Sequence, residues 1–333
     1  MPRLGDIPLS VLDLAPIRQG GSAADSFRDS VALARLAERR GYRRFWLAEH
    51  HGLEGIASAA TAVLIGHIAG HTSRLRVGSG GIMLPNHAPL VVAEQFGTLE
   101  SLYPDRIDLG LGRAPGADAA TMAALRRDPH AGADDFPRRL AELRGFLEEA
   151  RPDQRVRAVP GQGTRVPIWL LGSSDYSARL AAREGLPFAF AAQFAPGGLH
   201  EALAIYREHF RPSAVLEAPY AMVGLPVIAA DSDTQAEYLA TTARQKFLGM
   251  VRGRRTRARP PVEELDWTPP ERAQVEQFLG AAVIGGPSTV RQGLEAFLAS
   301  TGADELMVHT EVFALEDRLR SYALLADLHQ GLA

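Results

Sequence analysis

The sequence predicts an α/β fold, a (β/α)8 barrel with an insertion between strands seven and eight. Three observations carry that prediction. Short apolar runs of strand character recur eight times and alternate with stretches of helical period, which favours a closed parallel barrel over an open sheet. No Gly-x-Gly-x-x-Gly opens a helix after the first strand, which argues against a dinucleotide-binding sheet. And 333 residues, long for an ordinary domain, is an ordinary length for such a barrel. One domain over 1–333 is expected, with 249–286 as a lid or insertion within it.

Pro8 to Leu14 reads as the first strand. Asp25 or Ser26 would cap a helix in which Phe27, Val31, Ala34 and Ala37 share a face, ended by Gly41. Arg44 to His50 is the second strand, and Ser58 would cap the next helix, Ala59 to His71. Val77 to Leu84 is the third. Pro89 suits a first helical turn, where a missing N–H costs nothing, and Val92, Phe96, Leu99 and Leu102 repeat at helical spacing until Tyr103-Pro104. Ile107, Leu109 and Leu111 alternate with Asp108, Gly110 and Gly112 as the fourth strand, which runs into Arg113-Ala114-Pro115-Gly116. A helix around Phe136 to Glu149 follows a polar connection.

Pro167 to Gly172 is the fifth strand, Leu186 to Phe194 the sixth, Tyr220 to Ala229 the seventh and Glu305 to Val312 the eighth. Helices are expected over Ser177 to Glu184, Leu199 to His209 and Leu315 to Leu328, and within the insertion near Thr234 to Leu248, Pro270 to Leu279 and Ser288 to Ser300. The insertion carries Arg252, Arg254, Arg255, Arg257 and Arg259 before Pro260-Pro261. The plain reading is a solvated, mobile loop; the sharper one is a lid that meets an anionic ligand when closed.

Composition narrows the chemistry. A net charge of −3 gives no reason to expect nucleic acid or an acidic membrane surface. The absence of cysteine excludes disulfides, thiol catalysis and thiolate metal sites. Residues 1–6 lack an apolar signal core and no apolar run reaches spanning length, so a cytoplasmic protein with no membrane partner is expected.

Active sites of such barrels are built at the C-terminal ends of the strands. Polar groups collect there: Glu49-His50-His51, Ser79-Gly80-Gly81, Asn86-His87, Arg113, Gly172-Ser173-Ser174 and Gln193. His50 and His51 are adjacent, so only one faces into a regular barrel, and no Asp/Glu/His set completes a metal shell. A histidine that handles a proton fits better, against the plain reading of a hydrogen-bonded strand end. Gly172-Ser173-Ser174 leads into a helix with Ser177 in its first turn, either a phosphate cradle or a simple serine cap. Arg113 would add bidentate positive charge, and Gly285-Gly286-Pro287-Ser288 is a rival cradle. Glycines at matching places in strands three and four (Gly78, Gly80, Gly81; Gly110, Gly112) make room for a flat ligand or mark tight packing.

Taken together, Trp46 to His51 (WLAEHH), Val77 to Pro85 (VGSGGIMLP), Arg106 to Gly116 (RIDLGLGRAPG) and Gly172 to Ala191 (GSSDYSARLAAREGLPFAFA) resemble the bacterial luciferase-like flavin monooxygenases, in their non-luminescent, single-gene branch. The resemblance implies a barrel that takes reduced FMN from a separate flavin reductase and oxidises a small organic substrate with O2 through a flavin hydroperoxide. It implies His50, with His51 beside it, as catalytic. Ser79, Gly80 and Gly81 would lie at the flavin ring, and Arg113, Gly172, Ser173, Ser174 and Ser177 at its phosphate. Arg138 is a weaker match to a second phosphate arginine. Gly112 and Gly116 depart from luciferase itself, and the insertion differs from its lid, so light emission is not implied. A homodimer through the early barrel helices is expected by the same likeness. Competing readings are a deazaflavin-dependent reductase or dehydrogenase, a non-catalytic flavin-binding protein, and a metal hydrolase.

Overall fold

In the computed structural model, which describes residues 3–114, 118–126 and 135–332, every run expected as a strand is one. The first half of the chain runs β1 (Leu9–Asp13), α1 (Ala23–Arg39), β2 (Arg44–Leu47), α2 (Thr61–Gly70), β3 (Arg76–Met83), α3 (Pro89–Leu102) and β4 (Ile107–Gly112). Then come α4 (Ala119–Ala124), α5 (Phe136–Leu147), β5 (Ile168–Gly172), α6 (Asp175–Glu184), β6 (Phe188–Ala191), α7 (Leu199–Glu208) and β7 (Ala221–Ala229). The chain ends with α8 (Asp233–Val251), α9 (Pro269–Phe278), β8 (Val283–Gly285), α10 (Pro287–Thr301), β9 (Glu305–His309) and α11 (Leu315–His329). The helices α4 and the strand β8 were not expected. Pro115 and Gly116, part of the expected loop, lie outside the described residues.

All strand pairs are parallel, and the order β6-β5-β4-β3-β2-β1-β9-β7 closes through β6–β7 into an eight-membered ring. The extra strand β8 pairs only with Val227 to Ala229, at the far end of β7, and stands outside that ring. Parallel closure puts every strand's C-terminal end at one mouth, which is where the loops meet.

Period-two alternation then sorts the side chains. Val11, Phe45, Leu47, Val77 and Ile107 face outward into the layer of apolar helix faces. Leu12, Trp46, Trp169, Ala189, Met222 and Met307, from strands all round the ring, form one cluster, so they fill its interior. Trp46 and Trp169 meet edge to face with centroids 5.3 Å apart. Below them a charged plug closes the other end. Arg44 donates to Asp108 Oδ2 at 2.8 Å and to Glu305 Oε1 at 2.9 Å, and Tyr220 donates to Glu305 Oε2 at 2.9 Å. Its two carboxylates are fully buried and paired, as buried charges must be.

Two expected caps are displaced. Ser22, not Asp25 or Ser26, caps α1, and Asp25 reaches back to the Ser22 N–H as a capping box. Ala60 precedes α2, while Ser58 is buried and its hydroxyl has no hydrogen-bond partner. Leu102, though in register with its apolar neighbours, is 63% exposed. The arginine-rich segment is tied down by its backbone: Ala258 exchanges hydrogen bonds with Ile17 and Gln19 at 3.0 and 2.7 Å, and Thr242 donates to the Arg259 carbonyl at 3.0 Å. That is not the arrangement of a loop held by solvent alone. Among the described residues no helix is long and apolar enough to cross a membrane.

Candidate active site

A cavity of about 490 Å3 opens at the barrel mouth, in the range of small-molecule sites. Its walls are chiefly apolar, with Leu12 in β1 and Leu14 just after it, Met83 at the end of β3, and Phe247 and Met250 on α8. His50, Gly80, Gly81, Arg113, Gly172, Ser173, Ser174 and Ser177 all line it. Thus eight of the ten expected site residues converge on one space.

The other two do not. Ser79 is fully buried and spends its hydroxyl on the Gly110 carbonyl at 2.8 Å, across a bulge in β3. That bulge sits where the register with β4 jumps from Ser79↔Leu109 to Ile82↔Leu111, one extra residue in β3, and it contains the cis Gly80–Gly81 peptide. His51, beyond the end of β2 like His50, does not line the cavity and turns instead to Glu49. Its Nε2–H donates to Glu49 Oε1 at 2.8 Å, and His87 Nε2–H donates to the same oxygen at 2.8 Å. The Met83 N–H, at the end of β3, donates to Glu49 Oε2 at 3.0 Å. Glu49 therefore pins the end of β2, beside His50, to the end of β3, beside Gly80–Gly81. Burial would raise the Glu49 pKa. The hydrogen bond and charge of His87, the His51 hydrogen bond and the Met83 amide outweigh it and hold the carboxyl below its ordinary value of 4.5. Glu49, His51 and His87 are the one set of possible metal ligands among the described residues, and each is engaged with another in these hydrogen bonds. The expectation that no such set assembles is corrected by His87, which reaches back from the loop after β3.

The glycines divide between the two readings. A Cβ on Gly78 would lie 2.5 Å from the Asp108 carbonyl oxygen, and one on Gly81 2.7 Å from that of Gly110. Strand crowding accounts for both. Gly80 and Gly81 also border the cavity, so there the backbone itself forms the wall.

At the end of β5 a Cβ on Gly172 would lie 2.5 Å from Ser177 Cβ, so only glycine lets the first turn of α6 fold back onto the strand. Ser174 is the N-cap residue of α6, yet its side chain makes no capping hydrogen bond. The plain serine-cap reading therefore fails. Arg113 crosses from β4 and stacks on Tyr176, its guanidinium carbon 4.0 Å from the ring centroid. This end of the cavity presents hydroxyls, helix N-terminal amides and a guanidinium, a donor set suited to a phosphate. The rival cradle is filled from within, since the Gly286 N–H donates to Asp233 Oδ1 at 2.7 Å. Arg138 lies outside the cavity, ion-paired with Asp135 and 74% exposed. In the cavity wall Gln193 Oε1 is buried without a hydrogen-bond partner, which a ligand N–H or O–H would satisfy.

Sequence reasoning missed a second polar group on the opposite wall. Lys246 of α8 donates to Glu311 Oε2 at 2.6 Å, and His309 Nε2–H donates to the same oxygen at 3.0 Å. Burial would raise the Glu311 pKa, but Lys246 and His309 hold it far below the carboxylate range. Two signals were there to find it. His309 and Glu311 continue the inward alternation Glu305, Met307, and Lys246 is the only lysine among 36 lysines and arginines.

The chain matches the family described as luciferase-like monooxygenase over residues 7–305. It is 54% identical over 328 residues to the luciferase-like monooxygenase of Escherichia coli (strain K12), covering 98% of each. It is 39% identical over 238 residues to the N-acetyl-S-alkylcysteine monooxygenase of Bacillus subtilis (strain 168), covering 69% of this chain and 70% of that one. Among solved structures it resembles apo-MsnO8 with a TM-score of 0.90 at 39% identity, over 97% of this chain and 98% of the other. A likeness of fold alone, with a TM-score of 0.72 at 18% identity and 96% of each chain, links it to the oxygenating constituent of 3,6-diketocamphane monooxygenase from Pseudomonas putida, solved in complex with FMN.

Proposed function

Because this chain belongs to the luciferase-like monooxygenase family, we propose that it takes FMN in reduced form, delivered by a separate reductase, and uses O2 to oxidise a small organic substrate. The observation that carries the reading is the make-up of the cavity. A guanidinium and hydroxyls capable of donating gather at Arg113, Ser173, Ser174 and Ser177 after β4 and β5, the Gly80–Gly81 backbone lines it from β3, and His50 lines it after β2. An FMN phosphate suits the first group, and the orphaned Gln193 Oε1 suits a ring N–H.

When bound and reduced, FMN supplies the electrons that activate dioxygen; the rest falls to the protein. Arg113 and the start of α6 bind the phosphate far from the reacting centre, so anchoring energy is realised without crowding it. Leucine, methionine and phenylalanine walls keep water from the reactive end, where it would divert oxygen to free peroxide. The His50 imidazole, at the end of β2, is the cavity group placed to hold or pass a proton at a ring nitrogen. Glu49 acts on it indirectly, by fixing the strand end that carries it.

The Bacillus relative is named for N-acetyl-S-alkylcysteines, which are thioethers, so thioethers are the first panel to try. Reduced FMN, isotopically labelled dioxygen and that panel should yield a product carrying one labelled oxygen. In His50→Ala, FMN binding should persist while product formation falls about 10²- to 10⁴-fold and peroxide is released instead. An unlabelled product, or turnover with deazaflavin and no oxygen, would overturn the reading.

A further inference from the structure

We propose that the cluster of Lys246, Glu311 and His309 recognises the carboxylate of an organic-acid substrate whose apolar part lies against the aliphatic walls. The inference rests on the monooxygenase reading for its chemistry, and on three independent observations for its place.

Position comes first. Around the ring β4 and β9 stand opposite each other, four strands apart in either direction, and β2 lies midway. Arg113 follows β4, His50 follows β2, His309 ends β9 and Glu311 follows it. A cofactor anchored at the β4–β5 side leaves the β9 side as the far wall, with His50 between the two. The polar cluster is thus where a substrate's head would be held while its body reaches the reacting centre.

Charge comes second. Lys246 offsets the charge of Glu311, so an acid entering here meets a paired carboxylate and not a bare one, amid walls of Leu14, Phe247 and Met250. Of the three N–H donors on the lysine, one is committed to Glu311. A carboxylate could accept from the others, and in an apolar wall such charge-assisted bonds are strong.

Residue type comes third. At other buried carboxylates this chain uses arginine: Arg44 with Asp108 and Glu305, and Arg318 with Asp13. A tie between α8 and β9 that served structure alone would be better made by a planar guanidinium matching both carboxylate oxygens. The single lysine of the chain stands instead at the cavity. It supplies a compact cation with donors to spare.

The test is calorimetric titration of the flavin-free protein with octanoate and with octanol, which share a chain and differ in the head. Wild type should bind octanoate more tightly. Lys246→Met should weaken octanoate about ten- to a hundredfold and leave octanol unchanged. Glu311→Gln should tighten octanoate, since it removes a competing negative charge, and this second variant decides the matter if the first is poorly folded. Equal binding of the two probes, or octanoate affinity that survives Lys246→Met and is lost in Arg113→Ala, would overturn the proposal. No flavin takes part, so this result is separate from whether FMN is the cofactor.

Discussion

At the scale of single residues, function depends on which polar groups are already spent inside the protein. Ser79 and Ser174 look alike in the sequence, each a serine beside glycine in an expected binding loop. The first gives its hydroxyl to Gly110, while the second leaves its hydroxyl out of the helix cap it occupies. Among the described residues Arg113 likewise has no carboxylate partner, and it lies over the face of Tyr176. Its proposed partner is the FMN phosphate, and riboflavin lacks that group. Arg113→Ala should therefore raise the dissociation constant for FMN about ten- to a hundredfold, the loss of one or two charge-assisted hydrogen bonds. Riboflavin affinity should stay nearly constant. Fluorescence titration with both flavins checks this, and equal losses would remove the phosphate contact.

At the scale of elements, the site depends on ties between strand ends. Glu49 draws the loop after β3, through His87 and the Met83 amide, onto the end of β2. The carboxyl is held below 4.5 in the fold, so its contribution to stability is full above that pH and is lost as pH falls below it. Glu49→Gln should cost about 1–3 kcal/mol at neutral pH, where buried donors lose their charged acceptor. Melting curves of the two proteins should be furthest apart near neutrality and converge below about pH 4.5. A gap that widened on acidification would mean the ion is not what Glu49 contributes. The insertion obeys the same logic: α8 and the segment after it are bonded to the loops after β1 and to each other, which brings Phe247, Met250 and Arg255 to the cavity. We infer that this segment serves as the lid.

At the scale of the whole molecule, two adjoining helices expose large apolar side chains. Val63 on α2 is 71% exposed, and Val91 and Leu102 on the adjoining α3 are 43% and 63% exposed. We propose that a second copy of the chain covers this face. Light scattering after size exclusion should show a dimer for wild type and a monomer for Val63→Glu with Leu102→Glu, since a charge buried at an interface goes unpaired. A wild-type monomer would remove the proposal.

Periodicity and end signals in the sequence determined the barrel, because they act over a few residues. Alternating Ile107, Leu109 and Leu111 can only be a strand with one face against helices, and Pro89 and Tyr103-Pro104 bound α3 by backbone chemistry alone. Parallel strands then oblige the site to lie at one mouth, which is why eight of the ten expected residues are found there. What the tertiary structure alone decided are meetings between residues far apart in the sequence. His87 reaches Glu49, Asp233 fills the helix start at Gly286, and Lys246 finds Glu311 across a span of 65 residues. Ser58, expected as a cap, is buried instead. Local pattern sets which face a side chain takes, but its partner is settled only when the ring closes and brings distant strand ends within hydrogen-bonding reach.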